Sequence, residues 1–167
     1  RWTVGRRCRR GSGVGDLCQP ILDRLAAACG ELIRLGVVDI DHLTWVASSQ
    51  GARTGLRYDP DLGLDARLSC TSSGHAWLCT LSESDALALV SREGYGAPSR
   101  YGPNAPATPS QLLRALRLAR QRGCAVTEST YVPGLSAIAV PIVPRGKGTA
   151  GVLAISGPSV RLTADKL

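Results

Sequence analysis

Residues 134–158 read GLSAIAVPIVPRGKGTAGVLAISGP. The stretch predicts two β-strands, Leu135–Val143 and Thr149–Ser156, joined by a turn at Pro144–Gly148. Ile138, Val140, Ile142, Val143, Val152, Leu153 and Ile155 are mostly β-branched and closely spaced. An apolar run of this kind, bounded by Gly and Pro, suits strands buried on both faces. Gly146 and Gly148 can adopt the positive φ that a tight connection requires. Two strands are marginal alone in water, so the hairpin is expected at the centre of a larger sheet, with both faces covered.

Outward from the hairpin, the chain alternates helices and strands without a strict βαβ pattern. Arg1–Gly15 is basic and glycine-rich, a connector. Leu17, Ile21, Leu22, Leu25, Ala28 and Cys29 recur at helical spacing and predict a helix over Asp16–Cys29, with Asp16 as N-cap and Gly30 as its stop. Leu32–Val38 and Leu43–Ser48 read as strands around a turn at Asp39–His42, and Thr54–Tyr58 as a third strand, making an antiparallel meander. After a loop at Asp59–Arg67 come helices at Thr71–Leu81 and Glu83–Glu93, the second capped by Ser82 and stopped by Gly94. Tyr95–Ala107 is a loop. Thr108 then caps a helix with Pro109 at its first position and Leu112, Leu113, Leu116 and Ala119 as its apolar stripe. Gly123 ends it, and Cys124–Glu128 is a strand leading through the turn at Val132–Gly134 into the hairpin. The fold class is α+β with a largely antiparallel sheet.

At 167 residues the chain is most simply one domain that buries roughly 68–70% of its unfolded surface. It has no Phe and no Met, so Leu, Val, Ile and Ala must fill the core. The net charge is +7, but residues 1–10 hold five Arg and no acid. The remainder carries 15 Lys+Arg against 13 Asp+Glu, a near balance that argues against a nucleic-acid-binding body. The six cysteines, at 8, 18, 29, 70, 79 and 124, show no metal-ligand spacing and predict free thiols in a reducing cytoplasm. No cofactor motif is present, and no apolar run approaches the ~20 residues needed to span a bilayer.

Chemistry concentrates in Leu68-Ser69-Cys70-Thr71-Ser72-Ser73-Gly74-His75-Ala76. Three hydroxyls and a glycine open a helix, whose unpaired N–H groups and partial positive charge can hold an anion; ordinary capping is the plainer reading. Cys70 with His75 suggests a thiol nucleophile, yet no third orienting group or oxyanion site accompanies the pair. Ser136 and Ser156 sit within apolar strands and must find partners, because burying a hydroxyl unpaired costs about 1–3 kcal/mol.

These segments, in this order, resemble the effector-binding domain of the IclR family of bacterial transcription regulators. The family's hydrophobic–His–Ala–(Ser/Thr)–x–x–Gly–Lys–Ala helix start is matched by Leu68–Ala76. Its Arg-Gly-Tyr helix end and acidic strand are matched by Arg122–Glu128, and its Gly-hydrophobic-x-x-Ile/Leu-Ala-x-Pro-Val strand by Gly134–Ile142. The closing Ser-Gly-Pro-x-x-Arg-Leu-Thr is matched by Ser156–Thr163, and the opening Trp2-Thr3-Val4-Gly5 is similar to the family's exit from its winged helix-turn-helix domain.

The resemblance implies a GAF-like domain over 13–167: a central antiparallel sheet, helices on both sides, and a pocket against one face. Residues 1–12 become the linker from an upstream DNA-binding domain, and Thr163 begins a helix that continues past the end. It implies a cytoplasmic, non-enzymatic sensor that binds a small-molecule effector without a cofactor, forms a homodimer or tetramer, reaches DNA only through the upstream domain and has no contact with membrane. Carried over position by position, the ligand-binding residues are Ser72, Ser73, Gly74, Thr127, Leu135, Ala137, Ala154 and Ser156. His75 stands where Lys is usual and Ser69 where His is usual, while Thr127, Ala137 and Ala154 replace Asp, Cys and Ser of some members. The loss of three polar contacts points to a larger or more apolar ligand, such as an aromatic acid with its carboxylate at the Ser72–Gly74 amides. The alternative is a small GAF-like thiol enzyme using Cys70 or Cys124.

Overall fold

The hairpin forms as β4 (Leu135–Ile142) and β5 (Gly151–Pro158), paired antiparallel with Ala139 opposite Ala154. The computed structural model describes residues 13–60, 62–96 and 100–163. Before the hairpin come α1 (Val14–Cys29), β1 (Leu32–Asp39), β2 (His42–Gln50), α2 (Ser72–Leu78), α3 (Glu83–Glu93), α4 (Pro109–Arg122) and β3 (Ala125–Glu128). The strands make one five-stranded sheet in the order β2-β1-β5-β4-β3, every pairing antiparallel. The last strand is thus the central one. The expected α+β, GAF-like arrangement holds, with helices on both sides of the sheet.

The two faces separate by strand alternation. On one, Ile33 and Leu35 of β1 and Ala47 of β2 pack with Leu22 and Ala26 of α1, with Leu153 and Ile155 alongside. On the other, Ala125, Ala139, Val152 and Ala154 meet Ala76, Trp77 and Leu78 of α2 and the apolar stripe Leu112, Leu116 and Ala119 of α4. The small residues on the strands let α2 lie close enough that every one of its residues is buried.

Local chemistry explains the element ends. Thr108 Oγ1 accepts from the Gln111 amide, and Gly123 turns left-handed at φ 72 to end α4, as its sequence predicts. Ser82 caps α3 in the same way through Asp85. The helix start at α1 is different. It begins at Val14, so Asp16 sits in the first turn rather than at the cap, and Gly13 provides no side-chain cap. Helix α2 ends at Leu78 rather than Leu81. Thr80 and Leu81 donate to the carbonyls of Trp77 and Leu78, a tightened last turn that leads directly to the Ser82 cap.

Two expectations change. Thr54–Tyr58 is not a strand. The outer edge of β2 is taken instead by residues 63–66, with Trp45 N–H donating to Leu64, Ala66 N–H to Leu43, and a bridge between Thr44 and Asp65. With that edge occupied, β1 pairs with β5 on its other side, and no three-strand meander forms. The hairpin is also not covered throughout. Helix α1 packs over β1 and β2, leaving Val140 and Ile142 at the far end of β4 40% and 41% exposed. The expected linker at 1–12 and the helix continuing past Thr163 lie outside the described residues.

The closing motif Ser156-Gly157-Pro158-Ser159-Val160-Arg161 has a structural reason. A Cβ on Gly157 would lie 2.3 Å from Glu31 Oε2, so only glycine lets that carboxylate approach β5. Arg161 then holds Glu31 through Nε to Oε1 at 2.6 Å and Nη2 to Oε2 at 3.0 Å. Ser136 and Ser159 join by a hydroxyl hydrogen bond of 2.9 Å, which supplies the partner the buried Ser136 needed.

Candidate functional site

Helix α2 begins against the sheet. The Thr71 hydroxyl accepts from Gly74 N–H at 3.0 Å and donates to the Arg67 carbonyl at 2.7 Å. Gly74 is required here: a Cβ would fall 2.4 Å from the Leu68 carbonyl oxygen and 2.5 Å from its Cα. The helix start is therefore clamped onto the preceding loop, with Ser72, Ser73 and Gly74 buried beneath it. Thr127, Ala137 and Ser156 line up in register across β3, β4 and β5, and Ala154 lies on the same face. Leu135 is half-buried at the start of β4.

Beside Thr71 a cavity of ≈ 60 Å³ opens against the same sheet face, with Arg34, Trp45, Tyr58, Arg67 and Tyr131 in its wall. None of the eight positions carried over from the resemblance lines it. Two of them adjoin it: Ser72 follows Thr71, and Ala154 is the register partner of Arg34. Thr127 lines a different cleft, of ≈ 460 Å³, between α4 and the loop at 103–106, together with His75, Gln111 and Arg114.

The wall residues that sequence reasoning passed over share a signal. Arg34 interrupts the apolar run Leu32-Ile33-Arg34-Leu35-Gly36-Val37-Val38, on the face that carries Ala154 and packs against α2 and α4. It is only 7% exposed. Its guanidinium carbon stands 3.9 Å over the Trp45 ring centroid and 5.6 Å from that of Tyr58. Its Nε is buried with no hydrogen-bond partner. Burial pulls the Arg34 pKa below the usual arginine value, opposed by the Tyr58 and Tyr131 hydroxyls. Burial likewise raises Tyr58, opposed by Arg34. The Tyr131 ring stacks on Tyr101 with centroids 5.7 Å apart. Arg67 Nε is likewise buried without a hydrogen-bond partner, but its Nη2 donates to the carbonyls of Glu93 and Gly94 at 2.5 and 2.9 Å, and Glu93 Oε1 lies 3.8 Å from Nε.

The thiol reading fails on geometry and electrostatics. His75 Nε2 donates to the Ser69 carbonyl at 2.9 Å, and burial lowers its pKa, so the ring is neutral and engaged elsewhere. Cys70 is fully buried and its pKa is pushed up to about 12, chiefly by burial. A thiol so raised supplies almost no thiolate near neutrality. Among the described residues, Cys18, Cys29, Cys70, Cys79 and Cys124 are free thiols, and Cys8 lies outside them. Among the described residues no cluster of three His, Cys, Asp or Glu is placed to hold a metal, and no helix is long and apolar enough to cross a membrane.

The sequence profile described as bacterial transcriptional regulator IclR, C-terminal, matches residues 11–167. The chain belongs to the IclR family. This IclR-type domain is 28% identical over 165 residues to the acetate operon repressor of Salmonella typhimurium, covering 98% of this chain and 59% of that protein. It is 26% identical over 165 residues to the HTH-type transcriptional repressor AllR of Salmonella paratyphi A, covering 99% and 59%. The chain thus spans well under two thirds of those relatives. Among solved structures, it superposes on the inducer-binding domain of a PobR double mutant from Acinetobacter, in complex with 3-hydroxybenzoic acid. That match has a TM-score of 0.77 and 22% identity, and covers 92% of this chain and 88% of the other. The IclR family is one of transcription regulators, so the domain is not an enzyme, and the thiol-enzyme alternative has no support.

Proposed function

We propose that this IclR-type domain is the small-molecule sensor and oligomerising part of a cytoplasmic transcription regulator, and that its effector is a small organic or aromatic acid. The observation that carries the reading is the cavity itself. It sits where the first turn of α2, the sheet face and the loop before α2 converge, and Trp45, Tyr58 and Tyr131 wall it. Its wall sets these rings beside Arg34, Asp65, Arg67 and Thr71, and aromatic walls with placed polar groups are a feature of small-ligand sites. The PobR domain, whose complex holds an aromatic acid, has a similar fold.

In this reading Ser72, Ser73, Gly74, Thr127, Leu135, Ala137, Ala154 and Ser156 form or support the rim of the ligand space. DNA is reached through a helix-turn-helix unit outside this chain. Effector binding acts by differential affinity, favouring one arrangement of a homodimer or tetramer over another. The half-exposed Val140 and Ile142 support self-association through the sheet.

The test is calorimetric titration of the domain and of the full-length regulator with a panel of aliphatic and aromatic acids, alongside light scattering. Saturable binding of at least one acid, with a particle larger than one chain, is expected. A panel with no binder, or a strictly monomeric chain at all concentrations, would overturn the corresponding half.

A further inference from the structure

Arg34 is a buried cation that pairs with no carboxylate among the described residues; Asp65, in the same cavity wall, is held instead by Thr44 and His42. Leaving a charged donor buried and unpaired is destabilising, and proteins that retain one commonly use it. Trp45 covers one face of the guanidinium at 3.9 Å, which fixes the plane without using its N–H groups. Nε, on the edge of the fork, has no partner. The neighbouring Arg67 is less free: its Nε also lacks a hydrogen-bond partner, but Nη2 is held by the carbonyls of Glu93 and Gly94, and the Glu93 carboxylate 3.8 Å from Nε meets its charge. Thr71 is similarly committed to Gly74 and Arg67.

We propose that Arg34 is the anchor for the effector's carboxylate, receiving it edge-on in the plane fixed by Trp45, with Tyr58 and Tyr131 at its flanks. This rests on the sensor reading above and adds to it the residue and the charge that select the ligand. A guanidinium fork matches the two oxygens of a carboxylate, which gives geometric selection as well as attraction. The cavity of ≈ 60 Å³ is far below the roughly 300–1,000 Å³ of a pocket that engulfs a whole ligand, so in this state it admits only the anionic head. The anionic head is thus the part of the effector read here, and a neutral analogue of the same shape is rejected because it leaves Arg34 unpaired.

The experiment compares the wild-type protein with Arg34→Gln, Arg34→Lys and Arg34→Met. The probes are acetate, pyruvate, benzoate and 3-hydroxybenzoate, each against its neutral amide. Calorimetry gives affinity, and thermal unfolding gives the stability of the unliganded protein. The expected result is that an acid binds the wild type at least a hundredfold more tightly than its amide. Arg34→Gln then loses that preference and at least a hundredfold in affinity, and Arg34→Lys, which keeps the charge but not the fork, recovers part of it. Unliganded Arg34→Met should melt no lower than wild type, since an unpaired buried charge has been removed.

Acid binding to Arg34→Gln within threefold of wild type would overturn the anchor while leaving the sensor reading intact. So would equal affinity for acid and amide. A marked fall in the melting point of unliganded Arg34→Met would make Arg34 a structural residue and overturn the anchor as well. If the wild type binds no probe of either kind, the sensor reading falls and the anchor with it.

Discussion

The guanidinium of Arg161 and the carboxylate of Glu31 meet edge to edge, joining the start of β1 to the segment just after β5. A third donor, Nη1, reaches the Leu56 carbonyl at 2.7 Å, so one side chain fastens three separate segments. Gly157 makes this possible by leaving room for Glu31.

Removing either partner should lower the melting temperature, and loss of Arg161 is the more severe because it leaves the buried Glu31 carboxylate unpaired. Gly157→Ala should be destabilising by about 1–3 kcal/mol through overpacking against the fixed carboxylate. In the double variant Gly157→Ala with Glu31→Ala, the two losses should sum to less than their separate values. A double-mutant cycle in urea measures this, and strict additivity would show that the two residues do not interact.

Gly74→Ala should displace α2, because the new methyl would collide with Leu68 backbone atoms that have no room to move. We expect a loss of at least about 1–3 kcal/mol in urea unfolding together with weakened ligand binding. The control Ala76→Gly, two residues further along the same helix, should lose stability by the ordinary helix and cavity terms but not shift the helix start.

Thr71→Ala removes the cap of α2 and should cost about 1 kcal/mol, whereas Thr71→Ser keeps the hydroxyl and should stay within a few tenths. Equal stability of the two variants in chemical denaturation would mean that the hydroxyl contributes nothing.

His75 gives a pH signature. Its folded pKa lies below the ordinary 6.5 because burial disfavours the imidazolium. Below that value the unfolded chain takes up a proton that the folded chain refuses, so this contribution to stability is complete above about pH 6.5 and is lost progressively as the pH falls. His75→Gln should flatten the corresponding part of a stability curve between pH 5 and 7.5, with the carboxylate contributions common to both proteins. Parallel curves for the two proteins would contradict this.

Among the five described thiols, alkylation by iodoacetamide near pH 8 should modify the exposed Cys29 first and leave Cys70 unlabelled in the native state. Mass spectrometry of digests reads this directly. Rapid labelling of Cys70 without unfolding would show it to be accessible.

How far the sequence could be read depended on how local each signal was. Helix α4 was legible because Thr108, Pro109 and Gly123 mark its ends and Leu112, Leu116 and Ala119 mark its buried stripe. The pairing of β4 with β5 was equally plain from Gly134–Pro158. The Thr54–Tyr58 segment misled because its strand-like composition says nothing of competition for an edge, and residues 63–66 had taken that edge. The cavity was hidden for a related reason. Arg34, Trp45, Tyr58 and Tyr131 come from four distant places and meet only through the folded sheet. The one available clue was an arginine on the inward-facing side of an apolar strand, where a charge has no reason to be unless it has something to hold.

The position of β5 has a consequence for synthesis. Strands β1 and β2 leave the ribosome as a hairpin under α1, and more than a hundred residues separate Asp39 from Gly151. Until Gly151–Pro158 emerges to lie between β1 and β4, the nascent chain carries two half-sheets with open inner edges. Translation that stalls before Pro158 would release a polypeptide unable to join its halves, and the newborn chain needs protection from its neighbours until β5 arrives.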